Sequence, residues 1–264
     1  TPEEMAAFMK IEPAAKKYFR RWIGAVEFLN GYERWCLWLG DCPPSELAAM
    51  PEAKKRVEAV RQSRLASKSA STRALAATPT RFHVENMPES PYLVIPEVSS
   101  ERRPFIPIGY ESPATFASNL VKIVPDATLL HFGVLSSTMH NAWMRQVGGR
   151  LKSDYRYSKD IVYNNFPWPE RPDDKQLASI EAAAQAVLNA REAVTRTDVG
   201  ATLATLYNPE TMPPALVKAH QTLDRAVDAA YVPDGGKRRW ASDAERVAFL
   251  FRRYRELTSL LPGK

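Results

Sequence analysis

No apolar run in this sequence nears the ~20 residues needed to cross a bilayer, and its start has neither the charged opening nor the apolar core of a signal peptide. No membrane is expected among its partners, and the expected location is cytoplasmic. Cysteine is almost missing. Cys36 and Cys42 are spaced unlike a zinc knuckle or a C-x-x-C redox pair, so two reduced thiols in an intracellular protein are expected. The four histidines, His83, His131, His140 and His220, show no metal spacing. No methionine precedes Thr1, and a longer parent polypeptide is expected.

Glycine is scarce as well, and none of it forms the strand-to-helix turn through which a backbone approaches S-adenosylmethionine. The pairs Gly148-Gly149 and Gly235-Gly236 follow predicted helices, which they would stop. Methylation of a flipped adenine also needs an Asn/Asp-Pro-Pro-aromatic loop. The nearest strings, from Asn165 to Pro169 and from Asn208 to Glu210, have the wrong order. Glu52 and Lys54 downstream of Asp41 imitate the acid-plus-E-x-K pattern of metal-dependent nucleases, but they fall at the start of a predicted helix instead of on strands. No catalytic, cofactor-binding or metal-binding residue is therefore expected in this chain.

What is present is enough chain for one large domain or two modest ones. Thirty-six Lys and Arg against thirty Asp and Glu give a net charge of +6, compatible with a polyanionic partner. Residues 3–22 read as a helix with Phe8, Ile11, Ala15, Phe19 and Trp22 near one face. Gly24 and Gly31 break the pattern, and 34–39 reads as a buried strand. Ser45 is placed to cap a short helix over 46–50, and Pro51 opens a long helix to about residue 77.

Short β-prone pieces follow at 92–95, 105–108 and 121–124, separated by prolines, as in a mixed sheet. Helix returns over 129–147, and 155–163 reads as extended. Phe166, Pro167, Trp168 and Pro169 fit neither a helix nor a central strand. Beyond Pro172 the composition turns helical, with helices predicted at 175–196, 214–231 and 242–261. The expected fold is α+β: a mixed-sheet domain with helices over residues 1–170, then a C-terminal helical bundle over 171–264.

The helix opened by Pro51 carries Lys54, Lys55, Arg56, Arg61, Arg64, Lys68 and Arg73 against only Glu52 and Glu58. A solvated charged face and a line of phosphate contacts both fit this pattern.

The most informative segment runs from Gly149 through Arg150, Lys152, Asp154 and Arg156 to Ser158, and continues from Ile161 to Phe166, Pro167, Trp168 and Pro169. It resembles the end of the target-recognition domain in MmeI-like (type IIL) restriction–modification enzymes and their methyltransferase-only relatives. Gly24–Gly31 with the aromatic segment 34–39 looks like the opening of that domain, and Val134 to Trp143 like its later helix. The resemblance implies a target-recognition domain and a C-terminal helical segment of an adenine-specific DNA methyltransferase. Its catalytic domain and its S-adenosylmethionine would lie elsewhere in the same polypeptide, and its partner would be double-stranded DNA.

A DNA reader needs phosphate contacts for position and a few side chains at base edges for sequence. Lys152, Ser153, Asp154, Arg156 and Tyr157 are the candidate base readers, because they combine guanine-capable Lys and Arg with cytosine-capable Asp in one loop-to-strand segment. Alternation would send Tyr155 and Tyr157 to the face opposite Asp154 and Arg156. The candidate phosphate contacts are Lys54, Lys55, Arg56, Arg61, Arg64, Lys68 and Arg150. Composition alone leaves two other readings open: a free-standing nucleic-acid-binding specificity subunit or adaptor, and a helical protein-interaction module.

Overall fold

The structure, a computed structural model, describes residues 1–259. Its helices are α1 (Pro2–Ile11), α2 (Ala25–Asn30), α3 (Pro44–Ala48), α4 (Pro51–Leu65), α5 (Ala70–Ala74), α6 (Leu129–Ser136), α7 (Thr138–Val147), α8 (Asp174–Thr197), α9 (Leu203–Leu206), α10 (Pro214–Ala230) and α11 (Asp243–Thr258). Its strands are β1 (Phe19–Ile23), β2 (Trp35–Leu37), β3 (Tyr92–Pro96), β4 (Val98–Ser99), β5 (Gly109–Glu111), β6 (Thr115–Ala117), β7 (Val121–Pro125), β8 (Gly149–Leu151) and β9 (Asp154–Arg156). Helices together with small sheets, one of them mixed, make this the expected α+β class.

The chain folds into two compact units and passes repeatedly between them. The first comprises Thr1–Ile23, Tyr32–Glu89 and Pro113–Ser118. Its sheet runs β2-β1-β6, with β1 antiparallel to β2 and parallel to β6. The helix expected over 3–22 stops at Ile11, because Pro13 disfavours helical backbone at Glu12 and cannot donate its own bond. A 3-10 turn over Pro13–Tyr18 follows, and Phe19 to Ile23 then extend into β1. Phe8, Ala15, Tyr18, Leu39, Met50 and Ala53 form this unit's core.

Two details of the same unit depart from expectation. Ser45 does not cap α3, whose first turn is set by Pro43 and Pro44. The long basic helix divides at 66–69, where Ser69 caps the separate helix α5 by accepting from the Thr72 N–H. Serine competes for backbone partners, so a Ser-Lys-Ser run favours a cap over helix interior. The cap that α4 lacks in its own sequence is supplied from a distance. Glu12, buried, accepts from the Glu52 and Ala53 N–H groups at 3.1 and 2.7 Å, where the positive end of the helix favours a carboxylate.

The second unit comprises Gly24–Gly31, Ser90–Ser112 and the chain from Asn119 onward. It holds two antiparallel sheets, β5-β3-β7 and β4-β9-β8. Every residue of β3 is buried, which fits the apolar run at 92–95. Residues 105–108, expected as a strand, form no ladder; Ile106 is held instead by its N–H donating to the Asn141 side chain at 2.9 Å. The helix expected over 129–147 is two helices, because Ser137 leaves helical geometry to cap α7. After β9 the chain takes a π-helical turn over Lys159–Tyr163 and does not stay extended.

Asp173 and Gln176 form a capping box that starts α8. α11 begins within one residue of its expected start, with Ser242 as its cap, while Leu261, its expected end, lies outside the described residues. α8, α10 and α11 share one core with β3, α6 and α7, so the buried side chains on both sides of residue 170 belong to a single cluster. The aromatic–proline segment is part of it. Phe166 packs edge-on against His140, Trp168 meets Tyr163 and His131, and the Tyr231 hydroxyl donates to the Pro167 carbonyl at 2.8 Å.

Candidate nucleic-acid interface

β8 and β9 form a two-residue hairpin with Leu151 opposite Asp154, and β4 extends the sheet beyond β9. Lys152 and Ser153 make the turn. Lys152 sits at φ 56°, a left-handed conformation that an L side chain adopts at a cost near 1 kcal/mol. Its ammonium group and Ser153 are exposed at the tip. Arg150 lies over the Tyr155 ring at 3.8 Å, donates to the Ser153 carbonyl at 2.8 Å and approaches Glu101 at 3.5 Å. The hairpin is therefore braced on one side by a stacked arginine.

On its other face Asp154 and Arg156 stand side by side in the alternation of β9. Asp154 is half-buried and accepts from the Glu101 N–H at 3.3 Å. Arg156 remains more than half exposed, at 58%, while its Nε donates to Glu97 at 2.7 Å. Glu97 is nearly buried and also accepts from Lys122 Nζ at 2.8 Å. Burial alone would raise its pKa, but the hydrogen bonds from Lys122 and Arg156 outweigh that and hold the carboxyl below its ordinary value. A charged, fixed Glu97 thus aims the Arg156 guanidinium and leaves its two terminal amino groups toward solvent.

Tyr157 is a correction. It was expected among the base readers, yet it lies in the core with its hydroxyl 3.0 Å from His140 Nε2, and its N–H donates to the Glu97 carbonyl at 2.7 Å. Strand alternation places it opposite Arg156, so it anchors the hairpin and does not face a ligand. His140 stays neutral beside it, because complete burial pulls its pKa down to about 3.

The other candidate cations lie in the first unit, on or just after α4. Lys54 and Lys68 are exposed, and their ammonium groups make no hydrogen bond or ion pair among the described residues. Lys55 pairs with Glu52 at 2.6 Å, Arg61 approaches Glu58 at 3.9 Å, and Arg56 lies over the Phe8 ring at 5.0 Å. Such exposed pairs hold their cations weakly. Arg64 is a second correction. Its guanidinium donates to the carbonyls of Leu75, Thr78 and Arg81 at 2.8, 2.8 and 2.6 Å, so it closes the loop that follows α5 and is spent on the fold.

The decoy motifs resolve into structure. The Asn165 amide donates to the Asp160 and Ile161 carbonyls, and Asn208 accepts from the Glu210 N–H. A Cβ at Gly148 would meet the Met144 carbonyl oxygen at 2.5 Å, and one at Gly236 the Tyr231 carbonyl oxygen at 2.6 Å, so these glycines permit close packing of helix ends. Sequence reasoning missed Glu97, Lys122 and Glu101. The one available signal was an acid between the apolar residues Pro96 and Val98.

Comparison with known proteins places this geometry. Residues 1–170 match the family described as MmeI, target recognition domain, and residues 172–262 match MmeI, C-terminal domain. DNA methyltransferase A of Bacillus subtilis (strain 168) is 39% identical over 246 residues, covering 93% of this chain and 27% of that protein. A solved structure of the type IIL restriction-modification enzyme MmeI in complex with DNA superposes with a TM-score of 0.92 at 48% identity, covering 98% of this chain and 34% of that one. The chain thus spans about a third or less of the length of these relatives, and it belongs to the family of MmeI target recognition domains.

Proposed function

We propose that this chain reads the sequence of double-stranded DNA on behalf of a DNA methyltransferase of a restriction–modification system, whose catalytic domain lies elsewhere in the same polypeptide. The observation that carries the reading is the β8–β9 hairpin: Lys152 at its turn and Asp154 and Arg156 on β9 stand on a hairpin whose next residue, Tyr157, is locked in the core. Lys and Arg suit guanine, and Asp suits cytosine, at the edges exposed in the major groove. A rigid support holds them at fixed spacing.

The modified base in this reading is adenine, methylated at N6, and S-adenosylmethionine would supply the methyl group in the part of the protein outside this chain. The residues here bind and orient the duplex. Lys54, Lys68 and Arg150, with Lys55, Arg56 and Arg61 in weaker pairs, are the proposed phosphate contacts. Mapping methylated adenines in DNA from cells expressing the complete gene tests the proposal. A single recurrent sequence context that shifts when Lys152 and Asp154 are exchanged is the expected result. Unmodified DNA, or a context indifferent to the exchange, would reject it.

A further inference from the structure

Beside the hairpin, the loop after β4 and the segment around α9 enclose a cleft of about 150 Å³ lined by Ser100, Arg102, Arg103, Ala204, Asn208 and Pro209. The loop is held rigidly. The Arg103 N–H donates to the Ser100 carbonyl at 3.1 Å, and Arg145, itself paired with Asp243 at 2.9 Å, donates to the carbonyls of Arg103 and Pro104. Arg102 is engaged by Glu210.

Arg103 differs from its neighbour. Its guanidinium is half-buried and makes no hydrogen bond or ion pair among the described residues. Burial depresses its basicity, an effect the charge of Asp154 only partly offsets. A partly desolvated cation is unfavourable until an anion meets it. Further donors for such an anion line the same cleft, because the Asn208 amide nitrogen is unbonded among the described residues and the Ser100 hydroxyl proton is uncommitted. Asp154 and Arg150 both touch Glu101, so the cleft adjoins the reading strand.

We propose that the Arg103 cleft is a phosphodiester-binding site that seats the backbone of the duplex whose bases the hairpin reads; it rests on the DNA-reading function above. The test uses the full-length protein carrying this chain and two labelled duplexes, with and without its methylation sequence, titrated across a salt series. Arg103→Gln should weaken both duplexes about tenfold near 0.1 M salt and flatten the log–log salt slope by about one unit, with the preference between them unchanged. Arg103→Lys should recover most of the slope. Unchanged binding and slope in Arg103→Gln overturn the proposal. So does a loss that Arg103→Lys fails to restore and that follows a lowered melting temperature, which would mark a packing role. If inorganic phosphate competes but both duplexes bind Arg103→Gln as they bind wild type, the site takes a free anion and the proposal is wrong. Failure of the reading function itself appears differently: Arg156→Ala would leave the preference between the two duplexes intact.

Discussion

Replacing Arg156 by alanine is the sharpest perturbation of the proposed reading surface. Its Nε is fixed by Glu97 at 2.7 Å, which leaves the two terminal amino groups as a planar fork able to meet guanine O6 and N7 together. A bidentate contact of that kind is worth about 1–3 kcal/mol of discrimination, roughly 5- to 150-fold at one base position. Glu97→Gln keeps the shape but turns two charge-assisted hydrogen bonds into weaker ones. The expected loss is about 1 kcal/mol at the same position. The two effects act through one side chain, so in an Arg156→Ala background Glu97→Gln should change preference no further.

The assay is initial methylation rate by the full-length protein on duplexes varied one position at a time. Glu97 adds a pH check. Its folded pKa lies below the ordinary value, so the stability it contributes is present above pH 4.5 and is lost only as pH falls through the lowered value. Preference should therefore be constant between pH 6 and 8. An Arg156→Ala protein whose preference is unchanged at every position would refute the reasoning.

Tyr157→Phe should cost about 1–3 kcal/mol in denaturant unfolding, because it strands His140 Nε2 in the core, while leaving site preference alone. Arg64→Ala should likewise lower stability, by about 1–3 kcal/mol, with no change in the salt slope of DNA binding; Lys54→Ala should flatten that slope and leave stability unchanged. Lys152→Gly should raise stability by up to about 1 kcal/mol by relieving the left-handed turn, yet weaken binding to the preferred duplex. Burial pushes the Asp228 carboxyl up to about 6 despite its pairing with Arg246 at 3.0 Å. An acid with a raised folded pKa contributes fully below its unfolded value of 3.8 and loses that contribution as pH rises through about 6, so the stability of wild type relative to Asp228→Asn should fall between pH 4 and 7 in urea titrations.

Much of the helical part was legible because local chemistry decides it: Asp173 and Ser242 cap α8 and α11, and Pro214 opens α10. The apolar runs at 92–95 and 121–124 likewise became paired strands. Where apolar spacing was followed across a breaker, it misled. Phe19 and Trp22 continue the helical stripe of Phe8 and Ile11 on paper, but Pro13 ends that helix and the same residues pair in β1. Charge counting misled at Arg64, since a basic residue on a polar helix is written identically whether it meets phosphate or three backbone carbonyls. Alternation within β9 correctly separated Tyr155 and Tyr157 from Asp154 and Arg156. It could not show that Tyr157 is wholly buried, because burial depends on α7, which meets that strand only in three dimensions.

In the proposed reading, the hairpin separates two demands on a recognition surface. Side chains that set a base preference must be exchangeable, whereas their spacing must hold to a fraction of an ångström. Here the exchangeable groups are exposed or half-exposed, so their individual contributions to folding are small. The spacing is held from the opposite face, through Tyr157 on His140, the Trp143 indole donating to the Val162 carbonyl at 3.0 Å, and Phe166 wedged beside them. That support is not local to the recognition segment. The core beneath it is completed by Ile180 and Val187 of α8, Leu223 and Val227 of α10 and Leu250 of α11, all buried within one cluster. Helices after residue 170 thus bury the surface on which the hairpin is mounted, and a recognition segment severed from them would expose that core to water.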